Sequence, residues 1–123
     1  MLVVDDEIDV AELFRQKFRR EVRDGSIGLE FALSGEEALT VIPATDPPSV
    51  MLILSDINMP GMNGFQLLET VKTRWPQMPV MMISAYGDEE SMARALQLGA
   101  EDLVAKPIDF ATLKTRLLGL RED

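Results

Sequence analysis

Two hydrophobic rhythms alternate along the chain. Leu2-Val3-Val4 is a short β-rich run that stops at Asp5-Asp6. Val10, Phe14, Phe18 and Val22 follow at four-residue spacing and predict a helix with one apolar face. Asp6 is placed to cap it, and Glu7 and Asp9 suit its first turn. Arg23-Asp24-Gly25-Ser26 reads as a turn and Gly28 to Leu33 as a second strand. Ser34-Gly35-Glu36-Glu37 is a capping-box pattern that opens a short helix through Ile42. Pro43 and the Pro47-Pro48 pair make the next connection a loop.

Val50 to Ser55 is almost continuously apolar, as suits a central strand buried on both faces. A turn at Asp56 leads to a helix marked by Phe65, Leu68, Val71 and Trp75, stopped before Pro76. Val80 to Ser84 has the character of a fourth buried strand, and Asp88 to Leu98 of a helix ending at Gly99. Leu103 to Ala105 is a short fifth strand; Phe110, Leu113, Leu117 and Leu120 mark the last helix. Five such units predict an α/β fold, a doubly wound parallel sheet with helices on both faces. No repeat or second domain is visible, so residues 1–123 read as one module, trimmed as if from a longer protein.

Composition narrows the chemistry. With 46% hydrophobic and 27% charged residues the chain can bury a core. No apolar stretch approaches the roughly 20 residues of a membrane span, and no signal pattern is present. A net charge of −9 opposes direct contact with nucleic acid. Arg15, Lys17, Arg19, Arg20 and Arg23 form a basic cluster, read as the solvated face of the first helix. The absence of cysteine removes disulfides and thiolate metal sites, and fits a cytoplasmic location. The absence of histidine removes the commonest metal ligand, leaving only oxygen-bound hard cations.

In a sheet of this kind functional groups gather at the carboxyl ends of the strands. Those ends carry Asp5 and Asp6, Asp56, Ser84, and Lys106-Pro107. Each has a plain structural reading: a helix cap, a turn former, a hydroxyl bonding nearby backbone, a surface lysine. Together they are harder to dismiss. Two carboxylates ~5 Å apart repel by roughly 3 kcal/mol at an effective dielectric near 20, and one lysine cannot answer three acids. A divalent cation such as Mg²⁺ would, using carboxylates and a backbone carbonyl and leaving positions open for a phosphoryl group. Asp56 would then serve as nucleophile, with Lys106 and Ser84 acting on the transferring oxygens and Ala85 leaving room beside them.

The segments "LVVDDE", "LSDINMPGMNG", "MISAY" and "AKPI" resemble the receiver domain of bacterial two-component response regulators, in order and spacing, from residue 2 to about 120. The resemblance implies a flavodoxin-like five-stranded parallel sheet, order 2-1-3-4-5, flanked by five helices. It implies a phosphoacceptor signalling switch in which Asp56 takes phosphate from the phosphohistidine of a sensor histidine kinase or phosphotransfer protein. Asp6 and Asp56 would bind Mg²⁺, Asp5 assisting and Asn58 giving its backbone carbonyl. Ser84 would be the switch hydroxyl, Lys106 the phosphoryl-binding lysine, and the Lys106-Pro107 bond cis. Phosphorylation would change the surface of the fourth helix, fifth strand and fifth helix, where an effector domain or downstream protein would read it. Such a domain catalyses its own phosphorylation and dephosphorylation and turns over no external substrate.

Some positions depart from the family pattern. Leu103 stands where many receivers carry an aromatic that swings inward with the switch hydroxyl. Tyr86 is either a partly exposed loop aromatic or a group that limits water access and slows phosphoryl loss. Asp102 and Arg116 could supply one pair of a charged dimer face, but Met92 and Thr112 stand where other charges are expected, leaving homodimer and monomer both open. An aspartyl phosphohydrolase would require a second acid where Asn58 stands, and a nucleotide-binding Rossmann domain a glycine-rich loop after strand one. A receiver-shaped module that works without phosphorylation is the remaining alternative.

Overall fold

In the computed structural model, residues 1–42, 52–85 and 89–121 are described. The strands are β1 (Leu2–Val4), β2 (Glu30–Ala32), β3 (Ile53–Asp56), β4 (Val80–Ser84) and β5 (Asp102–Ala105). The helices are α1 (Ile8–Lys17), α2 (Arg19–Arg23), α3 (Gly35–Val41), α4 (Gly64–Arg74), α5 (Glu89–Gln97) and α6 (Phe110–Arg121). All strand pairs are parallel and the order is β2-β1-β3-β4-β5. The expected sheet order is therefore present.

Each face of the sheet buries its own layer. Leu2, Val4, Ile53, Val80 and Met82 pack with Ala38, Phe65, Leu67, Leu68, Val71 and Ala95 on the side of α3, α4 and α5. Val3, Leu54, Met81, Ile83 and Val104 pack with Phe14, Phe18, Leu113 and Leu117 on the other. Successive residues of a strand point to opposite faces, so a central strand covered on both sides is apolar up to its carboxyl end. That is why β3 and β4 read as hydrophobic runs that stop at Ser55-Asp56 and at Ser84.

The helix predicted to run through Val22 is delivered in two pieces. The chain leaves helical geometry at Phe18 (φ −105°, ψ 14°), giving six helices among the described residues where five were expected. Phe18 is fully buried, stacked on Phe14 at 5.8 Å and edge-on to Phe110 at 6.1 Å. Beyond this break Val22 is left 45% exposed instead of continuing the apolar face. The start of α1 also differs from expectation. Glu7, not Asp6, is the N-cap and has no side-chain cap; Asp5 Oδ1 instead accepts from the Glu7 N–H at 2.9 Å.

Ser34 caps α3 as expected, accepting from Glu37 N–H at 3.0 Å, while the Glu37 carboxylate reaches the Leu33 N–H. A reciprocal box that the hydrophobic pattern does not reveal opens α4: Asn63 Oδ1 accepts from Gln66 N–H and Gln66 Oε1 from Asn63 N–H, both at 2.9 Å. The helix α5 is followed by Gly99 at φ +102°, the expected stop. Pro43, Pro47, Pro48, Asp88 and Tyr86 lie outside the described residues.

Candidate functional site

Register decides which side chains meet. Val4 pairs with Ser55, so Asp5 and Asp56 leave neighbouring strands at the same level. Asp56 pairs with Ile83, and Ser84 with Ala105, so Ser84 and Lys106 come off the same rim on the next strands. The carboxyl ends of β1, β3, β4 and β5 thus bring together the residues singled out from the sequence.

Asp5, Asp56 and Ser84 are buried, Asp6 is exposed and Lys106 half-buried. Carboxylate oxygens of Asp5, Asp6 and Asp56 all lie within 4.8 Å of one another. Lys106 Nζ donates to Asp5 Oδ2 at 3.3 Å and lies 3.6 Å from Asp56 Oδ2. Burial raises the Asp56 carboxyl above the ordinary aspartate range and Asp5 adds to the rise, while Lys106 and the backbone N–H groups of Asn58 and Ile57 oppose it. For Lys106, burial works against the charge, but Asp5 and Asp56 outweigh it and the ammonium titrates above an ordinary lysine. Two acids and one lysine leave a net negative pocket that Asp6 deepens. This all-oxygen donor set fits a hard divalent cation.

The backbone around Asp56 is fixed closely. Ile57 N–H donates to Ile83 carbonyl at 3.0 Å, extending the sheet one residue past Asp56. Gly64 N–H then donates to Ile57 carbonyl at 2.8 Å, closing the neck of the loop that holds Asn58, Met59, Pro60 and Gly61. Gly64 fits because it lacks a side chain: a Cβ there would stand 2.2 Å from the Asp56 carbonyl oxygen and 2.7 Å from Ile57 Cα. Gly61 turns the loop at φ +72°, a conformation L side chains rarely adopt. Asn58 itself is exposed on this loop.

Around this centre, Lys106 N–H donates to Ser84 carbonyl at 2.8 Å, tying β5 to β4, and the Lys106–Pro107 bond is cis. Ala85 is exposed beside Ser84. Leu103 pairs with Met82 and is buried in the layer beneath α5. Arg116 Nη1 pairs with Asp102 Oδ2 at 2.7 Å within the same chain, and Thr112 bonds the Asp109 carboxylate at the start of α6. Met92 is 40% exposed on α5.

Against known families, residues 1–118 match the response regulator receiver domain. The chain belongs to this family. Curated relatives include the response regulator protein PilR of Pseudomonas aeruginosa, 36% identical over 92% of this chain and 24% of its own length. A probable transcriptional regulator, ycf27 of Cyanophora paradoxa, is 34% identical over 98% of this chain and 47% of its own. This receiver domain therefore spans about half or less of the length of these curated relatives. Among solved structures it is similar to the receiver domain of NtrX from Brucella abortus, with TM-score 0.83 and 31% identity over 98% of this chain and 97% of that one. The Francisella response regulator 1452 receiver domain gives TM-score 0.84 at 28% identity, over 98% and 94%. Among the described residues no helix is long and apolar enough to cross a membrane.

Proposed function

We propose that this receiver domain is the phosphoacceptor of a two-component phosphorelay and that Asp56 accepts the phosphoryl group. The observation that carries this is the convergence of Asp5, Asp6, Asp56 and Lys106 at one rim of the sheet. An Asp56 carboxylate oxygen bonds to phosphorus as the phosphorus–nitrogen bond of a donor phosphohistidine breaks, its electron pair going to the imidazole. Lys106 offsets charge on the transferring oxygens and Ser84 donates to one of them. Asp5, Asp6 and Asp56, with the Asn58 backbone carbonyl, would hold Mg²⁺. When bound, the ion supplies positive charge to the same oxygens and keeps Asp56 ionised against the burial that raises its pKa.

The switch is a population shift: a phosphoryl group engaging Ser84 and Lys106 favours whichever packing brings them to it. Leu103, buried under α5, moves by a leucine rotamer change or with its strand. The surface of α5, β5 and α6 carries the change to an effector domain or downstream protein. The domain turns over no external substrate and works in the cytoplasm beside its kinase. Intact mass after incubation with acetyl phosphate tests the reading. Native chain should gain about 80 Da, one phosphoryl group, only when Mg²⁺ is present; no gain under saturating donor and metal would favour a module that works without phosphorylation.

A further inference from the structure

Glu36, on the first turn of α3, lies in sequence far from the rim acids yet contacts the acceptor loop directly. Its Oε1 accepts from the Met62 N–H at 3.1 Å, across 26 residues. Two close fits surround that bond. The Met62 side chain lies over Gly35, where an added Cβ would come within 2.8 Å of its sulfur. Gly61, at φ +72°, brings its backbone so near that a Cβ there would stand 3.2 Å from Glu36 Oε1. Behind them α3 is anchored by Ala38, fully buried in the core.

The loop between Asp56 and α4 is thus held at three places, the first being Met59, which is buried in the core beside Asn58. Its neck is closed by the Gly64-to-Ile57 bond and its far side is held by Glu36. Asn58 lies on the span between. Asn58 is exposed while its neighbours Ile57 and Met59 are buried. We propose that Glu36 is a positioning residue for the acceptor loop, which through Met62 sets the presentation of the Asn58 carbonyl and so the affinity of the acidic cluster for Mg²⁺. This rests on the reading of that cluster as a Mg²⁺ site.

Three variants separate the hydrogen bond from the charge. Glu36→Gln keeps an acceptor oxygen but loses the charge, Glu36→Asp keeps the charge but shortens the reach, and Glu36→Ala loses both. Titration calorimetry with Mg²⁺ should show Gln close to native, with Ala and Asp weaker by about fivefold, a loss of the size expected when one supporting hydrogen bond goes. At saturating Mg²⁺ all three should take up phosphoryl groups from acetyl phosphate at near-native rates. Without metal, the Met62 amide should exchange hydrogen faster in Ala and Asp than in native or Gln.

Glu36 is exposed at the helix start, so these variants should keep the fold, checked by circular dichroism. Native Mg²⁺ affinity in Glu36→Ala would overturn the positioning role alone. Equal weakening in Gln and Ala would overturn it too, assigning the effect to charge. A native chain that binds no Mg²⁺ would overturn both this role and the metal-site reading.

Discussion

Lys106 Nζ stands 3.3 Å from Asp5 Oδ2, so a protein cation already occupies part of the space the acids would share with a metal ion. Replacing it by methionine removes a competitor for the carboxylates and, at the same stroke, the proposed donor to the phosphoryl group. Lys106→Met should therefore bind Mg²⁺ more tightly than native while phosphoryl uptake slows by roughly 100-fold, as for loss of one transition-state donor. Calorimetry and a phosphorylation time course read the two effects separately. Weakening of both together would mean that the lysine chiefly holds the fold.

Asp56 should cost the metal-free protein stability. Burial first, and Asp5 second, raise its carboxyl above the ordinary range. Between the unfolded value of about 3.9 and the raised folded one, the native state keeps a proton that the unfolded chain releases. Stability therefore falls as pH rises through that window. Asp56→Asn escapes the loss and should melt a few degrees above native protein at neutral pH without Mg²⁺. The gap should close near pH 3, where both side chains are uncharged. A constant gap across pH would place its origin elsewhere than in ionisation.

Gly64→Ala tests how tightly α4 seats on the acceptor strand. Its Cβ would meet the Asp56 carbonyl oxygen at 2.2 Å, and backbone cannot turn aside as a side chain can. A loss of about 1–3 kcal/mol, the usual cost of overpacking, should appear as a lower denaturant midpoint. Phosphoryl uptake should fall in the fraction that remains folded, because the carbonyl that must yield belongs to the acceptor itself.

The Asn63–Gln66 box gives a contrasting expectation. Asn63→Ala should cost about 1 kcal/mol in urea denaturation with an unchanged m-value, as for other lost N-caps. Mg²⁺ affinity should change little, since the Gly64-to-Ile57 bond and the Glu36 contact still hold the loop. A large drop in Mg²⁺ affinity would instead make the cap part of the site's support.

The central strands were legible because burial on both faces keeps their bodies apolar, as β4 shows from Val80 to Ile83. Asp5, Asp56, Ser84 and Lys106 were legible for a related reason: each stands at the end of a mostly apolar run, and parallel strands of matched register carry their ends to one rim. The break at Phe18 was not, since the four-residue spacing continues through Val22 while the buried Phe14 and Phe18 rings and the half-buried Phe110 ring are brought together only by the fold. Asp5 taking the Glu7 N–H in place of an Asp6 cap depends on which of two adjacent acids turns inward. Glu36 carried the signature of a helix start, and nothing local distinguishes a carboxylate left in water from one that reaches Met62. Contacts across tens of residues are where pattern reading ends.

The most direct test of the account is to locate the phosphoryl group. Native chain phosphorylated with acetyl phosphate and Mg²⁺ would be reduced with borohydride, which converts an aspartyl phosphate to homoserine, then digested and mapped by mass spectrometry. Conversion at Asp56 alone, absent without Mg²⁺ and absent in Asp56→Asn, is the expected result. Conversion at Asp5 or Asp6, or a phosphoryl group on Ser84 that survives the reduction, would contradict it.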